Sequence, residues 1–122
     1  MRTRIKIKRV YDAPDVGDGE RILVDRLWPR GLTKEKAKID IWAKDISPSN
    51  ELRKWYGHEP GKWEEFKKRY FSELDRNKAE VDELIGQMGK GPVTFVYSST
   101  EHVINNAEAL KSYLERKALT KK

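Results

Sequence analysis

A chain of 122 residues that is 37% hydrophobic and carries four tryptophans is long enough for one core and too short for two. It has no cysteine, which excludes a disulfide framework, a thiolate nucleophile, and a Cys-ligated zinc or iron–sulfur centre. The net charge of +6 sits at the two ends, +5 over residues 1–9 and +4 over 111–122 against −3 over 10–110, so the basic balance does not describe one extended nucleic-acid surface.

The 38% of charged residues, with cysteine absent, suits a heat-adapted protein, in which ion-pair networks gain value. The opening residues Met1 to Arg9 lack the apolar stretch of a signal peptide, and no run approaches the length of a membrane helix. The expected setting is cytoplasmic, with no membrane partner.

Residues 4–10 alternate, with Arg2, Arg4, Lys6 and Lys8 on one face and Ile5 and Ile7 on the other, the period of a half-buried strand. Residues 11–20 are turn chemistry. Their Asp12, Asp15, Asp18 and Glu20 lack the order of a calcium loop and read as a solvated loop, so no metal is assigned. A second strand follows over 21–27, and Thr33 caps a helical turn over 34–38. Ser47 as cap and Pro48 at the first helical position open a helix that Gly57 stops after Tyr56.

From Pro60 to Leu74, Trp63, Phe66, Tyr70, Phe71 and Leu74 recur at helical spacing. After Asn77, another plausible cap, Val81, Leu84, Ile85 and Met88 mark one more helix, ended by Gly89-Lys90-Gly91-Pro92. Val93 to Tyr97 is the clearest strand, being rich in β-branched and aromatic residues. A final helix over 103–118 should bury Val103, Ala107, Leu110 and Leu114. Residues 1–118 thus form a single domain, with 119–122 as a frayed basic tail.

This order predicts an α/β fold: a small, mostly parallel sheet of about three or four strands packed with four to five helices. In such sheets ligands bind beyond the carboxyl ends of the strands. That rule places Asp25, Arg26 and Arg30, from Val24-Asp25-Arg26-Leu27-Trp28-Pro29-Arg30-Gly31, beside Tyr97 and Ser98-Ser99-Thr100.

Two readings of the Asp25, Arg26 and Arg30 group stand side by side. Guanidinium groups grip carboxylate or phosphate with paired hydrogen bonds, or Asp25 pairs with an arginine and merely pins the turn. Ser98 to Thr100 precede a helix and suit ordinary capping at least as well as anion binding. His58, in Tyr56-Gly57-His58-Glu59-Pro60, is of the residue type best suited to moving a proton at physiological pH, or can simply tie the loop between two helices. His102 should be solvated, and two histidines 44 positions apart make a poor metal site. Of the four tryptophans, Trp28 alone stands in the proposed site loop.

Several segments together resemble the YeaO-like family, a domain of unknown function (488). They are Arg9-Val10-Tyr11-Asp12, Val24 to Gly31, Trp42-Ala43-Lys44-Asp45-Ile46-Ser47-Pro48-Ser49, Glu51 to Pro60 and Trp63-Glu64-Glu65-Phe66. The resemblance runs from about residue 5 to 115. It implies a single α/β domain and marks Asp25, Arg26, Pro29, Arg30, Gly31, Lys44, Ser49, Leu52, Arg53, His58 and Asn105 as recurrent positions. Relatives often carry His before that Asn, where this chain has Ile104. Longer, faintly rhodanese-like relatives carry late cysteines. With none here, sulfur transfer is not available.

Both lines of reading meet in a cationic pocket for a small anionic ligand of phosphate, nucleotide or carboxylate type, with no cofactor. Arg26, Arg30 and Arg53 would clamp the anion, with Lys44 and Ser49 as further ligand-binding positions and Ser98 and Asn105 as hydrogen-bonding partners. Asp25 would orient an arginine or act as base, and His58 would transfer a proton, if the pocket turns its ligand over at all. The alternative is a nucleic-acid or protein-binding module that uses the basic first strand and the C-terminal helix.

Overall fold

The computed structural model describes residues 5–88, 91–101 and 103–120, with side chains described as far as Arg116. Four strands, β1 (Ile5–Arg9), β2 (Glu20–Leu23), β3 (Ile41–Trp42) and β4 (Val93–Tyr97), form one sheet in the order β1-β4-β2-β3. Every pairing is parallel. The two central strands are the two most buried ones, as expected where both faces are covered. All five residues of β4 are buried, and Ile22 and Leu23 of β2 are completely so.

Alternation along the strands divides the core in two. Ile22, Val24, Val93, Phe95 and Tyr97 face the larger layer, built from α2 (Asn50–Tyr56), α3 (Trp63–Arg76), α4 (Lys78–Gln87) and α5 (Asn106–Thr120). Leu23 and Val96 face the smaller one with Val10, the one-turn helix α1 (Lys34–Ala37) through Ala37, and Trp28, Leu32 and Ile39. In α3, Phe66, Tyr70 and Leu74 lie on one buried face, and Tyr70 Oη donates to the Ile46 carbonyl (2.6 Å).

The sheet is tight where β2 begins. Gly19 adopts φ +65°, and a Cβ there would lie 2.1 Å from the Pro92 carbonyl oxygen, so only glycine fits. Glu20 N–H then donates to that same carbonyl (3.0 Å), locking the entry of β2 against the entry of β4.

Several boundaries differ from the sequence expectation. β2 ends at Leu23, leaving Val24 to Leu27 as the loop that opens the site, although Val24 N–H still bonds the Val96 carbonyl (3.1 Å). β3 is an additional strand of two residues, too short to register as a period. The cap of α2 is Ser49, whose Oγ accepts from Leu52 N–H (3.1 Å), while Ser47 is buried and bonds the Ala43 carbonyl (2.9 Å). A 3₁₀ turn over Lys44–Ile46 absorbs Ser47 as its end and shifts the helix start by two residues.

Pro60–Lys62 is a separate 3₁₀ turn before α3, and Asn77 stands between α3 and α4 without a side-chain cap. α5 begins at Asn106, so Val103 is exposed instead of buried. α5 runs through Thr120, and the last two residues of the expected tail at 119–122 lie outside the described set. Thr33 capping α1 and Gly57 ending α2 in a left-handed turn (φ 55°) agree with the sequence.

Candidate functional site

Three strand ends and the start of one long helix surround a cavity of about 630 Å³. β2 delivers Asp25, Arg26, Leu27, Trp28, Pro29 and Arg30 to its wall, and β1 delivers Arg9 and Tyr11. β4 supplies Tyr97 and the run Ser98 to Glu101, α2 and its exit supply Arg53, Tyr56 and His58, and α5 supplies Asn105 and Asn106. The parallel sheet explains the convergence: every strand points its carboxyl end the same way.

Asp25 is the hub. It is 9% exposed, and its Oδ2 accepts from both the N–H and the Oγ of Ser98 (2.8 Å each), while Oδ1 accepts from Asn106 Nδ2 (2.9 Å). Its own carbonyl accepts from Trp42 Nε1 (2.8 Å). These partners are neutral donors with no arginine among them, so the loop after β2 is tied to the end of β4 and the start of α5 without ion pairing.

The arginines engage backbone instead. Arg26 Nε donates to the Pro48 carbonyl (3.1 Å) and its terminal nitrogen to Ser47 (3.0 Å), joining the site loop to the approach of α2. Arg9 donates to the carbonyls of Ser99 (2.7 Å) and Ser98 (2.9 Å) and lies 5.0 Å from the centre of the Tyr11 ring. Arg53 bonds Asn50 Oδ1 (2.9 Å), and its buried Nε has no hydrogen-bond partner among the described residues. Arg30 is exposed, and its carbonyl accepts from Tyr11 Oη (2.8 Å). A guanidinium bonded to carbonyl dipoles keeps its full positive charge. Four arginines therefore face the cavity against only Asp25 and Glu101.

Two tyrosines of the wall, Tyr56 and Tyr97, have hydroxyls that are harder to ionise than usual. Burial raises the Tyr56 hydroxyl above its ordinary value, with Glu101 adding to the effect. Burial likewise raises Tyr97, against an opposing pull from Arg9 and with Asp12 pushing the same way as burial. Asn105 is buried and caps α5, its Oδ1 accepting from Glu108 N–H (2.9 Å). His58 is exposed and adopts φ 59°, directly after left-handed Gly57, with its ring 6.2 Å from that of Tyr56.

Seven of the nine site residues expected from sequence share this cavity: Asp25, Arg26, Arg30, Arg53, His58, Ser98 and Asn105. Two do not. Lys44 stacks over Trp42 (5.1 Å) on a smaller groove beside α4, and Ser49 spends its hydroxyl on Glu73 and the cap of α2. Arg9, Tyr11 and Asn106 are additions. Arg9 read as part of a basic strand edge, although the carboxyl-end rule applies to β1 as much as to β2. Asn106 stands beside a recurrent asparagine, and the side chain that reaches Asp25 is its own.

The expected solvated loop before β2 contains a buried charge. Asp18 is ion-paired with Arg21 (2.6 Å) and Lys8 (3.2 Å). Burial alone would raise its carboxyl. The Asp15 backbone N–H, Lys8 and Arg21 outweigh burial and hold it below the usual carboxylate range. With Lys8 engaged here, Lys6 on the Gly17 carbonyl and Arg9 in the cavity, the described basic residues of the first strand are committed within the molecule. Arg2, Arg4 and His102 lie outside the described residues. Among the described residues, no group of acidic, His or Cys side chains could hold a metal, and no helix is long and apolar enough to cross a membrane.

Fold and site together define a small α/β protein with an arginine-lined cavity at the carboxyl end of a parallel sheet. The family model described as "Inactive DUF488-N3 subclade" matches residues 4–122, and the chain belongs to the DUF488 family. An uncharacterized protein of Mycobacterium tuberculosis (strain H37Rv) is 42% identical over 114 residues, covering 92% of this chain and 93% of the relative. The uncharacterized protein YeaO of Escherichia coli (strain K12) is 42% identical over 110 residues, covering 90% and 96%. No solved structure gives a significant match.

Proposed function

We propose that this protein binds a small anionic molecule in the cavity beyond the sheet and holds it without turning it over. One observation carries the reading: Arg9, Arg26, Arg30 and Arg53 line a single cavity in which two carboxylates oppose them. Three of the four are held by contacts to backbone carbonyls or to Asn50, so their charge is oriented in advance and little ordering is left for the ligand to cost. Arg30 is exposed at the mouth of the cavity.

Binding without turnover follows from the state of the groups expected to be catalytic. Both oxygens of Asp25 are occupied by Ser98 and Asn106, which suits a frame better than a base. The Ser98 hydroxyl donates to Asp25, and among the described residues no histidine accepts its proton, which suits a structural hydroxyl better than an activated nucleophile. The word "Inactive" in the family description agrees with this reading.

The test is a thermal-shift panel of inorganic phosphate, di- and tricarboxylates and mononucleotides, followed by calorimetric titration. A ligand that binds only the folded state raises the melting temperature in a saturable way. At least one anion should do so, with affinity reduced about tenfold or more in Arg30→Gln, the loss of one charge-assisted contact. A flat panel, or full binding by both Arg30→Gln and Arg53→Gln, would overturn the proposal.

A further inference from the structure

We infer that the anion this cavity takes is a free mononucleotide, a phosphate carrying a planar base, an assignment that rests on the anion-binding reading above. The first argument is size. A volume of about 630 Å³ is within the range of roughly 300–1,000 Å³ that accommodates a small organic ligand. A bare oxyanion is only a few waters in size, each about 30 Å³, and would leave most of the space unfilled.

The second argument is the character of the wall. Between the arginines it presents Tyr11, Trp28 and Leu27, the last 59% exposed at the rim. Tyr11 and Trp28 have already committed their polar ends to backbone: Tyr11 Oη to Arg30 (2.8 Å) and Trp28 Nε1 to Leu32 (2.7 Å). Trp28 is also braced edge-on by Trp42, with ring centres 5.3 Å apart. An aromatic ring whose polar end is used internally offers a ligand its face, and a fixed face is a stacking platform for a base. A purely inorganic or aliphatic anion gives such faces nothing to do.

The third argument is the coupling of the two halves. The Tyr11 hydroxyl is bonded to the backbone of Arg30, so one aromatic platform is fixed to the stretch of chain that carries the mouth cation. Phosphate and base would then be read by neighbouring parts of the wall.

The experiment compares four probes by calorimetry on the full chain: inorganic phosphate, adenosine, adenosine monophosphate and a single-stranded pentanucleotide. The monophosphate should bind at least tenfold more tightly than either phosphate or adenosine and quench tryptophan fluorescence. Trp28→Leu and Tyr11→Leu should bring the monophosphate-to-phosphate ratio close to one, whereas Trp28→Phe and Tyr11→Phe, which keep a ring, should retain most of it. Equal binding of phosphate and monophosphate would overturn this inference and leave the anion-binding reading standing. A stronger response to the pentanucleotide, or an unchanged ratio in both leucine variants, would overturn it too. If none of the four probes binds, this inference falls, and the carboxylates of the thermal-shift panel decide the anion-binding reading.

Discussion

Each end of the sheet buries an aspartate, and the two solve the same problem oppositely. At the amino end Asp18 is paired with Arg21 and Lys8, with its carbonyl accepting from Thr94 Oγ1 (2.7 Å), while one terminal nitrogen of Arg21 is buried without a hydrogen-bond partner among the described residues. At the carboxyl end Asp25 is satisfied by Ser98 and Asn106, and the nearby arginines bond carbonyls. The cations are paired with a carboxylate at one end and with backbone dipoles at the other. A cation paired with a carboxylate is structural, whereas a cation held in place by dipoles remains available to a ligand.

Breaking the amino end should cost most. Asp18→Ala leaves Arg21 buried without its counter-charge, and loss of one partner of a buried pair costs about 3 kcal/mol or more, readable in urea or thermal melts. The same carboxyl gives the contrast a pH signature. Because its folded value is lowered, its stabilising contribution is present at neutral pH and disappears as pH falls through that lowered value. The stability gap between the natural chain and Asp18→Asn should be full at pH 7, begin to narrow near about pH 4, where ordinary carboxyls take up protons, and close once pH has fallen through the lowered value. A gap that stayed constant down to pH 2 would remove Asp18 from this role.

Asp25→Ala should be the next largest, about 2 kcal/mol, since it strands the Ser98 and Asn106 donors that reach a charged acceptor. It should also loosen the cavity, so ligand affinity falls with stability. Arg30→Gln separates the two properties: stability should change by less than about 0.5 kcal/mol while anion affinity drops about tenfold. Lys44→Ala should do least, changing neither anion affinity nor stability by more than about 0.5 kcal/mol, because an exposed cation over Trp42 contributes little. A strong binding defect in Lys44→Ala would move the site.

The sequence was most legible where one residue type meets one geometric demand. The apolar run of β4, Thr33 before α1 and Gly57 after α2 each follow from local chemistry, and the carboxyl-end rule brought Asp25 and Ser98 together before any coordinates. What escaped depends on partners distant in the chain. Asp18 looks like loop until Lys8, Arg21 and Thr94 surround it. Arg9 looks solvated until β4 places Ser98 and Ser99 beside it. Ser47 resembles a cap as well as Ser49 does, and only the preceding 3₁₀ turn decides between them.

The strand order has a consequence for how the chain is made. β1 pairs with β4 alone, and β2 meets β1 only through β4. During synthesis the first strand therefore has no neighbour until residues 93–97 emerge, long after the helices of the crossover. Non-local pairing of this kind is slow, and strand edges left waiting are prone to association. The lysines and arginine that later hold the cavity and Asp18 in place would meanwhile keep β1 charged and separate, so the residues that finish the fold also protect it before it exists.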